Sequence, residues 1–202
     1  GYQGILLVSH LSIEKELENI QNLQQQGVDG ILVDSVGLTD KHIEIAKSTP
    51  VPIVYTGQWN EAVPSIKLDD WAAGRMVGAY LRQMGHRHAV FAGVTPTDKA
   101  VGIERKQGFI EAFCEERPEA RVDFVETGFD FLSAYNKGAA ILGLAPTVVV
   151  GATDNISLGV LRYLHERGIR VPEQISVVGF GGYDVGAVVY PALTTVAFDY
   201  EL

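Results

Sequence analysis

Residues 147–168 read Thr-Val-Val-Val-Gly-Ala-Thr-Asp-Asn-Ile-Ser-Leu-Gly-Val-Leu-Arg-Tyr-Leu-His-Glu-Arg-Gly. Thr147 to Val150 is a β-branched run without polar alternation, which predicts a strand covered on both faces. Asp154 to Arg167 carries helical spacing and stops at Gly168, the residue type that ends helices most readily. Ile175-Ser176-Val177-Val178 is a second buried strand. Strand, helix, strand is the unit of a parallel sheet, and its crossover is right-handed.

The same alternation extends in both directions. Upstream, strands are predicted at 90–92 and 122–125, separated by a helix over 99–117 that Pro118 closes, and a helix over 133–144 precedes the quoted stretch. Downstream, Leu193-Thr194-Thr195-Val196 is a short final strand. The first part of the chain repeats the rhythm. Strands are predicted at 5–8, 30–33, 52–55 and 65–68, with helices over 13–26 and 41–48. A further helix runs from Asp70 to Met84 and stops at Gly85-His86.

This pattern predicts an α/β protein of two doubly wound parallel-sheet lobes. The first lobe is expected over 1–85 and the second over 86–195, with 196–202 beginning a crossover back to the first. Because the chain opens directly in a strand, a first strand and a last returning segment are expected to be missing.

The 202 residues are 47% hydrophobic and 20% charged, a globular composition. No apolar run reaches the length of a membrane span, and no signal peptide is visible at Gly1. The net charge of −9 works against binding a phosphate backbone, so this piece alone is not expected to bind nucleic acid. The single cysteine, Cys114, excludes an intrachain disulfide and reads as a half-buried structural thiol.

Ligands of open α/β sheets bind beyond the carboxyl ends of the strands. Those ends are polar and aromatic: Ser9-His10, Asp34-Ser35, Thr95, Thr127-Gly128-Phe129, Thr153-Asp154-Asn155 and Gly179-Phe180. Hydroxyl, amide and carboxylate groups beside aromatic rings suit a sugar, whose hydroxyls need partners and whose ring face stacks. Strand ends of two facing lobes are expected to form one cleft. Simpler readings compete. Asp154 precedes a helix, so N-capping explains it; Asn155 has no such explanation. Arg105 is equally consistent with a solvated surface arginine. Phe129 and Phe131 are consistent with core. His10, His42, His86, His88 and His165 are scattered and read as surface or capping residues, not metal ligands. Asp69-Asp70 reads as a pair serving a helix start. Walker, Gly-x-Gly-x-x-Gly and Gly-x-Ser-x-Gly motifs are missing, so no enzyme is expected and no cofactor is called for.

Several runs resemble the lactose-repressor family of transcriptional regulators. Asp69-Asp70 to Gly74, Gly85-His86-Arg87 and Val90-Phe91-Ala92-Gly93 are similar to the stretch linking that family's two lobes. Arg105-Lys106-Gln107-Gly108-Phe109 resembles its Arg-x-x-Gly-Phe, and Ala152 to Gly159 its Asn-Asp-x-x-Ala-x-Gly. Val171-Pro172-Glu173-Gln174-Ile175-Ser176-Val177-Val178-Gly179-Phe180 resembles its most specific run, and Pro191 to Val196 its closing hinge. Residues 93–102 and 179–183 look most like sucrose- or trehalose-operon repressors.

The resemblance implies the effector-binding domain of a cytoplasmic repressor, with a periplasmic-binding-protein-like fold. It implies a sugar or sugar-phosphate effector contacted by Arg105, Phe129 or Phe131, Thr153, Asp154 and Asn155; His10, at the end of the first predicted strand, is added as a candidate by its position. It implies a homodimer whose operator contacts come through a helix-turn-helix head ahead of Gly1, absent here. Effector binding would shift the lobe angle and so the DNA affinity. Gly181 stands where the family usually has Asp, and the lost carboxylate is compatible with a phosphorylated sugar. The rival reading is a periplasmic sugar-binding protein of a transport system.

Overall fold

The computed structural model describes residues 1–199 and divides into two compact units, Gly1–Leu68 and the residues from Asp69 on. Both are α/β, as the sequence pattern predicts.

The first unit has the order α1 (Ile13–Gln25), β1 (Ile31–Asp34), α2 (Asp40–Ser48), β2 (Ile53–Thr56) and β3 (Ser65–Ile66). Its three strands lie parallel in the order β1-β2-β3. Ser12 starts α1 by accepting the Lys15 amide, which satisfies one orphan donor of the first turn. Ile20, Ile31, Val33, Ile53, Tyr55 and Val63 form the core. Burying each of these side chains contributes roughly 1.5–3 kcal/mol.

Residues 5–8 are not the expected strand. A strand exists only through a ladder with a neighbour, and β1 is paired to β2 alone. Leu6 is 88% exposed and Val8 56%, and no described strand pairs with this apolar run.

The second unit continues with α3 (Asp70–Gln83), β4 (His88–Gly93), a π-helical turn (Lys99–Glu104), α4 (Arg105–Cys114) and β5 (Arg121–Glu126). Next come α5 (Phe131–Gly143), β6 (Val148–Gly151), α6 (Asp154–Glu166), β7 (Ser176–Gly181), α7 (Asp184–Val188) and β8 (Thr194–Ala197). The five strands are parallel in the order β5-β4-β6-β7-β8. Val148, Val149 and Val150 are fully buried, as the unbroken β-branched run requires. Phe109 and Phe113 stack with ring centroids 5.2 Å apart, and Phe91 lies 5.7 Å from Phe109.

The expected boundary near Gly85 moves to the junction of Leu68 and Asp69. The reason is α3, which crosses α4 at a distance only glycine allows. A Cβ on Gly74 would stand 2.1 Å from the Arg105 carbonyl oxygen, and one on Gly108 would stand 2.1 Å from that of Trp71. So α3 belongs with the second core, to which it gives Ala73, Val77 and Leu81.

Two other expectations change. The single helix over 99–117 opens as a π-helical turn and ends at Cys114. Val196 and Ala197, expected to begin a crossover, are ladder partners of Phe180 and Gly181 in β7. Residues 200–202 of that expected segment lie outside the described residues. No described helix is long and apolar enough to cross a membrane.

Candidate functional site

From β4 the chain turns to β5 on one side and later to β6 on the other. The carboxyl ends of β4 and β6 therefore flank a topological switch point, where helices diverge and leave a crevice. Arg105 occupies that position.

Three local features deliver it there. Asp98 caps the π-helical turn by accepting the Val101 amide at 2.8 Å. The turn packs tightly on the loop after β4, since a Cβ on Gly102 would sit 2.3 Å from the Thr95 carbonyl oxygen. The close crossing of α3 and α4 then brings the first residue of α3, Asp70, against the first residue of α4, Arg105.

Arg105 is 5% exposed and Asp70 is 3%. Nε donates to Asp70 Oδ1 at 2.8 Å, and Nη2 donates to the same oxygen. Nη1 donates to the carbonyl of Ala152, the residue after β6. The guanidinium carbon lies 4.9 Å from the ring centre of Phe180 in β7 and 5.3 Å from that of Phe198. Burial pushes the Asp70 carboxyl up, and the Arg105 guanidinium opposes that rise; Asp98 and Glu104 add to it. One arginine thus ties α3, α4 and the tip of β6 together.

The next group surrounds the start of α6. Thr153 is its N-cap and accepts the Ile156 amide at 3.4 Å. Asp154 follows with its carboxylate fully buried. Oδ2 accepts the Tyr183 amide at 2.9 Å and Oδ1 accepts the Thr195 hydroxyl at 2.6 Å. Gly179 and Gly181 make room for this carboxylate: Cβ atoms there would lie 2.4 Å and 3.2 Å from its oxygens. Asn155 is exposed on the first turn of α6.

At the end of β5, Gly128 donates its amide to Ser133 Oγ at 2.6 Å, and Asp130 caps α5. Phe129, between them, is half-buried against the core. Phe131 begins α5 and is 42% exposed.

Residues 79–202 match the family described as a periplasmic binding protein-like domain. The chain belongs to the periplasmic-binding-protein-like family. Among curated relatives, it is 32% identical over 203 residues to the sucrose operon repressor of Staphylococcus xylosus, covering 100% of this chain and 62% of that protein. It is 34% identical over 213 residues to the transcriptional regulator CelR of Thermobifida fusca, covering 100% of this chain and 61% of that one. Among solved structures, a regulator of the LacI family from Enterococcus faecium with bound ribose superposes with a TM-score of 0.81 at 27% identity. That superposition covers 91% of this chain and 69% of the other. The chain therefore spans about three fifths of the length of those curated relatives.

Of the residues expected to touch a ligand, this periplasmic-binding-protein-like sheet gathers Arg105, Thr153 and Asp154 around the tips of β4, β6 and β7. Asn155 is beside them and faces outward; Phe129 and Phe131 stand at the tip of β5. His10 belongs to the other unit, where it is exposed in a turn at φ 51°.

Two expectations need correcting. Arg105 is no solvated surface arginine, because its guanidinium is spent on an internal carboxylate and a carbonyl. Asp154 is not the N-cap; Thr153 is, which frees the Asp154 carboxylate to bind two other tips.

Asp70, Asp98 and Phe180 were not singled out as site residues. The Asp69-Asp70 doublet held the clue for the first. Asp69 alone caps α3, through the Ala72 amide at 2.9 Å. That leaves the second carboxylate without a capping task.

The first unit holds its own buried polar group. Glu16 Oε1 accepts Ser35 Oγ at 2.7 Å. His42 Nε2 lies 2.8 Å from the same oxygen, off the line of a well-formed hydrogen bond. His42 Nδ1 accepts the Thr39 amide at 3.1 Å, completing a capping box, and the ring is fully buried. His42 is thus a core residue as well as a capping one.

Proposed function

We propose that this chain is the effector-binding part of a bacterial transcriptional repressor that senses a sugar or sugar phosphate for a carbohydrate-utilisation operon. The observation that carries the reading is Arg105, buried at the switch point of the second sheet beside Asp70 and two phenylalanine rings. Buried donors and acceptors next to aromatic faces suit a polyol. The relatives' names support a repressor over a transport protein, since one is a sucrose operon repressor and another a regulator solved with ribose. The same names support a binding role over catalysis.

Thr153 and Asn155 supply hydroxyl and amide groups at the same rim, and Phe129 or Phe131 a stacking face. His10 is the candidate from the first unit. In the intact protein, effector occupancy changes operator affinity in a homodimer, and operator DNA changes effector affinity by the same factor. Such a protein works in the cytoplasm, where its operator is.

The test is thermal unfolding of this chain with sucrose, fructose, trehalose and their 6-phosphates. A ligand that binds only the folded state at about 100 times its Kd adds about 2.7 kcal/mol of stability. A rise in Tm with at least one compound is expected. No rise with any of them refutes the reading.

A further inference from the structure

The loop from Ser35 to Thr39 leaves the carboxyl end of β1 and enters α2, on the side where open sheets take ligands. We infer that His42 is a one-proton latch on this loop: the neutral ring holds Thr39, and a second proton releases it.

Two buried side chains hold the loop, one at each end. At its start, Ser35 Oγ donates to Glu16 Oε1 on α1 at 2.7 Å and accepts the Gly37 amide at 3.2 Å. At its end, His42 Nδ1 accepts the Thr39 amide at 3.1 Å and lies 2.8 Å from Thr39 Oγ1. The two holds touch, because His42 Nε2 is 2.8 Å from that same Glu16 oxygen. Glu16, Ser35 and His42 are all buried.

The partners fix the tautomer. A backbone amide can only donate, so Nδ1 carries no proton in this arrangement, and the proton of the neutral ring sits on Nε2. That N–H faces Glu16 off the line of a good bond. Among the buried side-chain nitrogens and oxygens of the described residues, Nε2 alone has no well-formed hydrogen bond.

A second proton goes to Nδ1. It turns the acceptor of the Thr39 amide into a donor, and two N–H groups then face each other. It also makes the ring an imidazolium, which the Glu16 carboxylate attracts more strongly than a neutral N–H. One proton thus trades the hold on Thr39 for a tighter hold on Glu16. The start of the loop stays fastened through Ser35, while the first turn of α2 loses half of its capping box.

The other titratable groups nearby leave this exchange to Glu16. Tyr55 of β2 meets the ring edge-on, with 5.9 Å between centroids, and donates its hydroxyl to the His42 carbonyl. Burial and the Glu16 carboxylate push its phenol up to about 12, so it brings no charge. Asp34 at the tip of β1 is exposed and accepts the Thr56 hydroxyl at 3.1 Å. Asp40, Lys41 and Glu44 on α2 are exposed, and water screens them.

The experiment is NMR on this chain over about pH 8 to 5, the range in which histidines change charge. Imidazole nitrogen shifts read the ring, and amide exchange corrected for its intrinsic pH dependence reads the loop. At the alkaline end His42 is expected as the Nε2–H tautomer. On acidification Thr39 is expected to lose about three- to tenfold of its protection, the worth of one hydrogen bond, while Gly37 keeps its own. His42→Gln should hold Thr39 at every pH, since glutamine at this position closes the same capping box and does not titrate. An Nδ1–H tautomer, a flat Thr39 protection in the unaltered chain, or the same fall in His42→Gln overturns the latch.

Discussion

Arg105 presents two of its nitrogens, Nε and Nη2, to one oxygen of Asp70, Oδ1. Both residues are buried, and the guanidinium is the cation that offsets the Asp70 carboxylate. Breaking such a pair from one side strands a charge in the interior, at a cost of about 3–5 kcal/mol. Arg105→Ala is therefore expected to lose about that much stability, as well as the Tm rise from any effector. The pair Arg105→Met with Asp70→Leu is expected to regain most of it while still failing to bind. Urea unfolding of both variants beside the unaltered chain checks this, and full stability in Arg105→Ala would contradict it.

The crossing of α3 and α4 sets where that pair meets. A methyl group on Gly74 has nowhere to go, with the Arg105 carbonyl oxygen 2.1 Å away. Gly74→Ala and Gly108→Ala are each expected to force the helices apart and cost about 1–3 kcal/mol by overpacking. Glycine-to-alanine changes in open helix positions normally stabilise. Gly143, whose Cβ would touch nothing, is the control that should move the other way. Chemical denaturation midpoints of the three variants give the comparison.

His86 provides a pH dependence of known sign. Burial lowers its pKa from the ordinary value of 6.5, and its Nδ1 is 2.9 Å from Thr147 Oγ1. A histidine harder to protonate when folded makes the unfolded chain the better proton acceptor. The stability it contributes is complete above pH 6.5 and declines as pH falls through and below that value. Tm recorded from pH 8 to pH 5 should drop more in the native chain than in His86→Asn. Parallel curves would remove His86 from the explanation.

Tyr55 gives the opposite limit. Burial, with help from the Glu16 carboxylate, pushes its phenol up to about 12. Its hydroxyl donates to the His42 carbonyl at 3.1 Å. A phenol that holds its proton more tightly when folded favours the native state fully below pH 10. That contribution is lost as pH climbs from 10 to about 12. Ultraviolet absorbance should show one tyrosine ionising only with unfolding, and Tyr55→Phe should flatten this alkaline limb.

The sequence made the second sheet legible because its strands are buried on both faces, and runs such as Val148 to Val150 have no competing interpretation. It misled at residues 5–8, where composition alone suits a strand but no described strand pairs with the run. Composition reports what a residue tolerates, and pairing depends on what stands beside it. The lobe boundary was hidden for a related reason. Gly74 and Gly108 look like weak points within helices, and only their spatial meeting shows that α3 packs with the later chain. At the candidate site, Arg105 and Asp154 were visible as residue types at strand ends. Their partners, Asp70, Tyr183 and Thr195, are 29 to 41 positions away and follow from topology, not from spacing.

The Asp154 carboxylate reaches the turn after β7 through Tyr183 and the edge strand β8 through Thr195. These segments already pair along the β7–β8 ladder, and the one carboxylate adds a second tie between them at the sheet's edge. Losing the Thr195 hydroxyl would therefore also remove the acceptor of the Gly182 amide at 3.3 Å and loosen the turn at Tyr183.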